Sequence, residues 1–374
     1  MAETPLSHTA APKPEAAEVH GQPTPEQPTP GQQTAASPAP ANQSARYTVL
    51  DRKPFRLIDL MLTWEMILVL LLVAVIAMNT SISPYFLDVY NLSDATVNFS
   101  EKAIVALTMA LLILVGEIDL SIAAIIALAS LIMGLASVAG VGTFGLIVIG
   151  LAVGAVAGAF NGFLVTAIGL PSIVVTIGTM SLFRGIAQVV LGDQAITKYP
   201  QGLQTLGQST IFSLPPLPNS FFIFVVLAIV TGIVLHRTTI GRRLYAIGNN
   251  PVAARFSGIR VDRIRFVLFV LSGLASGLAA VLLTGRIGST RPNIALGWEL
   301  EVVTMVVLGG VSISGGSGTI PGVVLAVFVL GLTTFGLSLV NVPGIVINVL
   351  LGALLISAIA VPLVVRGIMR GLGR

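Results

Sequence analysis

Ten apolar runs, most of them close to twenty residues and parted by short polar breaks, leave this chain little choice of solvent. They fall near 64–83, 102–116, 120–140, 144–168, 172–191, 218–236, 266–284, 299–313, 320–340 and 344–364. A helix needs about 20 apolar residues to cross a bilayer, and it satisfies its backbone N–H and C=O groups within its own segment. The runs are continuous rather than alternating, which argues against a β-barrel. Only 10% of residues are charged and 55% are hydrophobic, where soluble domains carry roughly a quarter charged. The expected fold is an all-α polytopic membrane protein of about ten transmembrane helices, some of them broken.

Basic residues set the expected orientation. Arg46, Arg52, Lys53 and Arg56 precede the first run, and Arg366, Arg370 and Arg374 follow the last. Lys and Arg concentrate on the cytoplasmic side, so both termini are expected inside, as an even number of spans requires. The other side receives only Lys102, Lys198, Arg286 and Arg291. The basic excess therefore reads as a topology signal and not as a nucleic-acid surface. Trp64 and Trp298 stand near run ends, where indoles favour the interface. Residues 1–45, rich in Pro, Ala, Thr and Gln, have little to bury and read as a disordered cytoplasmic tail. They hold no apolar h-region, so they do not read as a signal peptide. Residues 46–374 form the expected transmembrane domain.

The most structured polar segment is the loop at about 237–265. From His236 to Arg265 it carries seven arginines against one acid, Asp262, and it belongs on the cytoplasmic side. Asn250-Pro251 opens a short helix in it, with Asn at the N-cap and Pro at the first helical position, and Gly258 suits the left-handed closing position. Val252 and Phe256, four apart, share a face. A capped amphipathic helix outside the bilayer reads as a docking element for a cytoplasmic partner.

Charges within the apolar runs need partners. Glu117 and Asp119 interrupt the second and third runs in Val115-Gly-Glu-Ile-Asp-Leu-Ser121. If Gly116 breaks the helix, Asp119 or Ser121 caps the next one. Two further readings stay open, the wall of a solute pathway and a proton relay. Arg184 lies deep in the fifth run and must find an acid, a carbonyl or a water-filled cavity. Asn161, Thr176, Thr179 and Ser181 suit sugar hydroxyls, yet interhelical hydrogen bonds use the same residue types. Gly150, Gly154, Gly158 and Gly162 repeat every four residues, a pattern for close helix packing. A second glycine-rich break, 307–322, contains no Lys after its glycines and is not a P-loop. It reads as a broken helix or tight turn, and its Gly309-Gly-Val-Ser-Ile-Ser314 echoes Gly116-Glu-Ile-Asp-Leu-Ser121, hinting at two related halves.

Catalytic chemistry has no foothold. Cysteine is absent, and of the three histidines His8 and His20 lie in the tail while His236 marks a run end. No catalytic, metal or cofactor site is expected on this chain.

Together, Gly116 to Ser121, Asn161-Gly162, Pro171 to Thr179 with Arg184-Gly185, Gly241 to Gly258 and Val307 to Gly318 closely resemble the permease subunits of ribose-type monosaccharide ABC importers. The likeness runs from about residue 60 to the end, and the stretch from Gly241 to Gly258 is its most specific part. One departure is Glu117, where the family more often carries glycine. The resemblance implies a bacterial inner-membrane permease that pairs with a second copy or a paralogue. It also implies a cytoplasmic ABC ATPase, which binds ATP and Mg, and a periplasmic sugar-binding protein. The coupling residues would be Gly241, Arg242, Asn250, Pro251, Val252, Ala253, Ala254, Phe256 and Gly258. Candidates for the pathway are Glu117, Asp119, Ser121, Asn161, Thr176, Thr179 and Arg184. The alternative is a self-contained ion-coupled secondary transporter, resting on Glu117, Asp119 and Arg184.

Overall fold

The computed structural model describes residues 63–213 and 216–372, so the expected tail lies outside the described residues. Among the described residues thirteen helices follow one another as α1 (Trp64–Ile82), α2 (Val89–Leu114), α3 (Ile122–Val138), α4 (Thr143–Thr166), α5 (Ser172–Leu191), α6 (Gln201–Gln208), α7 (Asn219–Arg237), α8 (Thr239–Asn249), α9 (Pro251–Phe256), α10 (Val261–Ile287), α11 (Trp298–Leu308), α12 (Ile320–Leu339) and α13 (Gly344–Leu372). A small antiparallel ribbon, β1 (Thr210–Ser213) and β2 (Pro216–Pro218), separates α6 from α7. The chain is a polytopic all-α membrane protein.

Each of the ten apolar runs falls on a helix. Seven of these helices, α1, α2, α4, α5, α7, α10 and α12, are long and apolar enough to cross a membrane by length and composition. The other three are shorter in their apolar part. α3 has 17 residues, α11 has 11, and α13 is apolar over Gly344–Ser357. The largest boundary difference is at α2, which begins at Val89 and not near 102. Its first half carries Asn91, Ser93, Asp94, Asn98 and Glu101, which hide it from a hydropathy reading. The Asp88 carboxylate nevertheless starts the helix by accepting from the Tyr90 and Asn91 amides at 2.9 and 3.4 Å.

α2 and α10 are the most enclosed of the seven. α10 packs on α4 through backbone contact. A Cβ added at Gly154 would lie 2.2 Å from Gly273 O, one at Gly158 2.3 Å from Phe269 O, and one at Gly277 2.4 Å from Gly150 O. The four-residue glycine repeat on α4 thus meets Gly273 and Gly277 of α10, and removing side chains lets the two axes close to the distance that dispersion and weak backbone contacts favour in lipid. Elsewhere the contact is aromatic. Phe99 of α2, Phe221 and Phe224 of α7 and Phe328 of α12 stack edge-on or tilted, with centroids 5.4–6.3 Å apart.

Both glycine-rich breaks end a helix in the same way. After α2, Gly116 takes φ +82°, its amide bonds Ile113 O at 2.9 Å, and the Glu117 amide bonds Leu112 O at 3.0 Å. After α11, Gly310 takes φ +86°, its amide bonds Val307 O at 2.9 Å, and the Val311 amide bonds Val306 O at 3.3 Å. These are matching left-handed helix closures that only glycine adopts without strain. They shift the sequence echo by one residue: Gly116 corresponds to Gly310, since Gly309 keeps φ −66°.

Candidate functional site

One end of the bundle carries α8 and α9, the loop end, and the other carries α6 and the ribbon, the far end. At the loop end Thr238 Oγ1 accepts from the Ile240 amide at 3.1 Å and starts α8. The helix is amphipathic. Gly241, Leu244 and Ile247 are buried, while Arg242 and Arg243 are exposed. The next turn breaks at Asn250, whose Oδ1 accepts from the Val252 and Ala253 amides at 3.0 and 2.9 Å, with Pro251 at the first helical position. α9 closes at Gly258, φ +81°, whose amide bonds Arg255 O at 2.9 Å. The sequence reading of a capped helix over these residues holds. Its Ala254 faces inward, whereas Val252 is 60% and Phe256 88% exposed.

α8 is held to the bundle by backbone contact. A Cβ at Gly248 would lie 1.9 Å from Leu114 O and 2.3 Å from Gly316 N, and one at Gly241 would lie 1.8 Å from Leu235 O. The Gly316 amide itself bonds Leu114 O at 2.9 Å. Tyr245 Oη donates to Gly318 O at 2.7 Å, and Asn249 Nδ2 to Gly316 O at 3.2 Å. Burial pushes the Tyr245 phenol above its ordinary value. Helix α8, the end of α2 and the 309–318 turn therefore meet at a single point. Three further ties surround it. Trp64 Nε1 donates to Leu308 O at 2.8 Å, Thr319 Oγ1 donates to Glu65 Oε1 at 2.9 Å, and the Ile320 amide donates to His236 Nε2 at 3.3 Å.

The break between α2 and α3 places the other candidates. Asp119 is fully buried. Its Oδ1 accepts from the Ser121 amide at 3.0 Å and the Ser121 hydroxyl at 2.6 Å, and its Oδ2 accepts from Ser272 Oγ at 2.9 Å. Asn161 Nδ2 donates to Ser121 Oγ at 2.7 Å, leaving Oδ1 without a partner. Thr176 Oγ1 donates to Ser172 O at 2.8 Å and stands 3.4 Å from Ile118 O, while Thr179 lies one turn on, 3.4 Å from Thr176 O. Glu117 Oε1 is 3.0 Å from Arg265 Nε, an ion pair whose N–H is not aimed at the carboxylate. Asp119, Ser121 and Asn161 thus form one network with Ser272. Ser272 escaped the sequence reading because a serine in an apolar run gives no local sign of its partner. Ser272→Ala leaves Asp119 Oδ2 without its donor, a loss of about 1–3 kcal/mol. Thermal unfolding in detergent should show a lower midpoint than for Ser276→Ala, whose hydroxyl only back-bonds Ser272 O.

Arg184 sits apart at the far end, where Nη1 donates to Pro292 O at 2.9 Å and Ile294 O at 2.7 Å. Of the three partners expected for it, carbonyls satisfy it. Nearby, Arg286 Nε donates to Glu101 Oε1 at 2.8 Å, Lys102 pairs with Glu301, and the Lys102 ammonium stands 5.1 Å from the centroid of the Trp298 ring. Two cavities, of ≈ 700 and ≈ 520 Å³, open there and share Arg291 and Asn293. Gln188, Asp193 and Gln194 line the larger one.

Residues 91–359 match the family model described as branched-chain amino acid transport system / permease component. The chain belongs to the sugar ABC importer permease family. The autoinducer 2 import system permease protein LsrD of Photorhabdus luminescens is 35% identical over 302 residues, covering 79% of this chain and 90% of that protein. The same-named permease of Yersinia enterocolitica is 36% identical over 303 residues, with the same coverage. The ribose import permease protein RbsC of Bacillus subtilis is 35% identical over 281 residues, 74% of this chain and 86% of its own. No solved structure matches. As a multi-pass permease of this family, the chain is a transport subunit.

Proposed function

We propose that this permease carries a monosaccharide, or a polyhydroxylated solute of similar size, from the periplasm to the cytoplasm, driven by ATP that a partner ABC ATPase binds with Mg and hydrolyses. The observation that carries the proposal is α9, a helix that exposes Val252 and Phe256 while standing on α8, which is packed by backbone against the ends of α2 and of the α11 turn. Those apolar side chains suit a cleft in a cytoplasmic partner, and the backbone contact would transmit a push on α9 to both helix breaks. In this reading the loop end and both termini face the cytoplasm of a bacterial cell with the permease in its inner membrane. A periplasmic sugar-binding protein delivers the solute at the far end, and a second copy or paralogue completes the path.

The far-end cavities offer amide groups from Gln188, Gln194 and Asn293, which match sugar hydroxyls without a fixed charge, beside the charged Arg291 and Asp193. Glu117, Asp119, Ser121, Asn161, Thr176 and Thr179 enter as the supporting wall of the pathway, fixing how α2, α3, α4, α5 and α10 meet. Arg184 would hold the 292–294 segment beside the entrance. The ion-coupled alternative needs carboxylates free to exchange an ion. Asp119 accepts from three donors and Glu117 is ion-paired with Arg265, which favours the ATP-driven reading.

Reconstitution in liposomes tests the assignment. Uptake is expected only when the permease is combined with the ATPase, the binding protein and Mg-ATP. Transport by the purified chain alone under a proton or sodium gradient would overturn it in favour of the secondary transporter.

A further inference from the structure

Two of the seven arginines between Arg237 and Arg265 have a carboxylate partner. Arg255 pairs with Asp262 at 2.6 Å, and Arg265 with Glu117 at 3.0 Å. Among the described residues Arg237, Arg242, Arg243, Arg260 and Arg263 make no ion pair. Three of these five, Arg243, Arg260 and Arg263, come from different elements, α8, the α9–α10 turn and the first turn of α10, yet line one cavity of ≈ 460 Å³. Three guanidinium groups around one cavity repel one another unless an anion joins them. The one acid close by, Asp262, is already held by Arg255 and so does not compete for them.

The cavity has two further properties. No side chain caps the start of α10, which adds the positive end of a 27-residue helix to the same region. Ile259 and Ile264 line the cavity beside the arginines, giving it an apolar wall next to its cationic one. The cavity also stands at the first turn of a helix long and apolar enough to cross a membrane by length and composition, and the ends of such helices are where lipid headgroups are met.

We propose that Arg243, Arg260 and Arg263 form a binding site for the phosphate of an anionic phospholipid headgroup, with Ile259 and Ile264 against the start of its apolar part. A basic pocket beside a transmembrane helix holds such headgroups by charge and by paired N–H donors. The bound lipid would brace α8 and α9 against the membrane, a role separate from their grip on a partner. This goes beyond the transport assignment and is read on the permease alone.

The probe is phosphatidylglycerol, compared with phosphatidylcholine and with inorganic phosphate, added to the full-length chain purified in detergent. Phosphatidylglycerol should raise the unfolding midpoint and be retained through purification, while phosphatidylcholine and equimolar inorganic phosphate should not. Each of R243Q, R260Q and R263Q should weaken the apparent affinity about fivefold, the factor equivalent to ~1 kcal/mol per arginine, and the triple variant about a hundredfold. R237Q, an exposed arginine outside the cavity, should bind as the parent does. If the triple variant does not fold, the single variants decide. Equal protection by phosphatidylcholine or by inorganic phosphate would overturn the proposal. So would unchanged lipid affinity in the variants, including the case where they lose only ATPase binding, which would assign the arginines to a protein partner.

Discussion

A Phe256→Asp permease should reach the membrane folded and import nothing. The side chain is 88% exposed and packs on no core, so its removal takes nothing measurable from the stability of the permease. Its worth lies in what covers it. Aromatic anchors at interface centres contribute about 2–4 kcal/mol, and an aspartate in the same cleft adds the penalty of an unpaired carboxylate. ATPase affinity should fall by at least 30-fold, the equivalent of about 2 kcal/mol, and ATP-driven uptake should vanish with it. Val252→Asp should follow in the same direction with a smaller effect, because valine offers less apolar surface. Arg255→Ala should be mild, since its guanidinium is engaged by Asp262 on the permease itself. Uptake and co-purification of the ATPase, measured on the same membranes, check the order. If Arg255→Ala proved the more damaging variant, docking would rest on charge and not on the apolar face.

The features legible in the sequence are those whose physical cause is local. The caps of α9 could be placed because an N-cap, a first-turn proline and a left-handed glycine each act within four residues of the helix end. The apolar runs found their helices for the same reason. Hydropathy foreshortens α2, because helix formation from Val89 to Glu101 rests on an Asp88 cap and tertiary burial. Contacts between distant segments stayed hidden. Lys102 and Glu301 carry charges at two run ends, and Glu101 and Arg286 lie 185 residues apart, yet no spacing rule joins either pair. The same applies to Ser272 beneath Asp119. The echo between the two glycine-rich breaks is one residue out of register in the letters, which align Gly116 with Gly309, while the backbone places positive φ at Gly310.

Gly248→Ala should separate docking from transmission. Its added Cβ would sit 1.9 Å from Leu114 O and 2.3 Å from Gly316 N. Both are backbone atoms at helix breaks, so no side chain can rotate away, and overpacking of this kind costs roughly 1–3 kcal/mol. Relief requires α8 to lift from the end of α2, which would strain the Gly316 to Leu114 hydrogen bond and the Tyr245 and Asn249 contacts to the 316–318 backbone. The exposed face of α9 is untouched by this shift, so the ATPase should still bind. Uptake should nevertheless fall at least tenfold, with ATP hydrolysis no longer stimulated by the loaded binding protein. Gly232→Ala is the matched control, since its Cβ would meet only the Ile320 Cγ2 at 3.9 Å and should transport normally. Parent-like uptake by Gly248→Ala would mean that motion of α9 reaches the membrane helices by another route, leaving the covalent connections of α8 to α7 and of α9 to α10 as the remaining paths. Loss of ATPase binding together with uptake would instead place Gly248 in the docking surface itself.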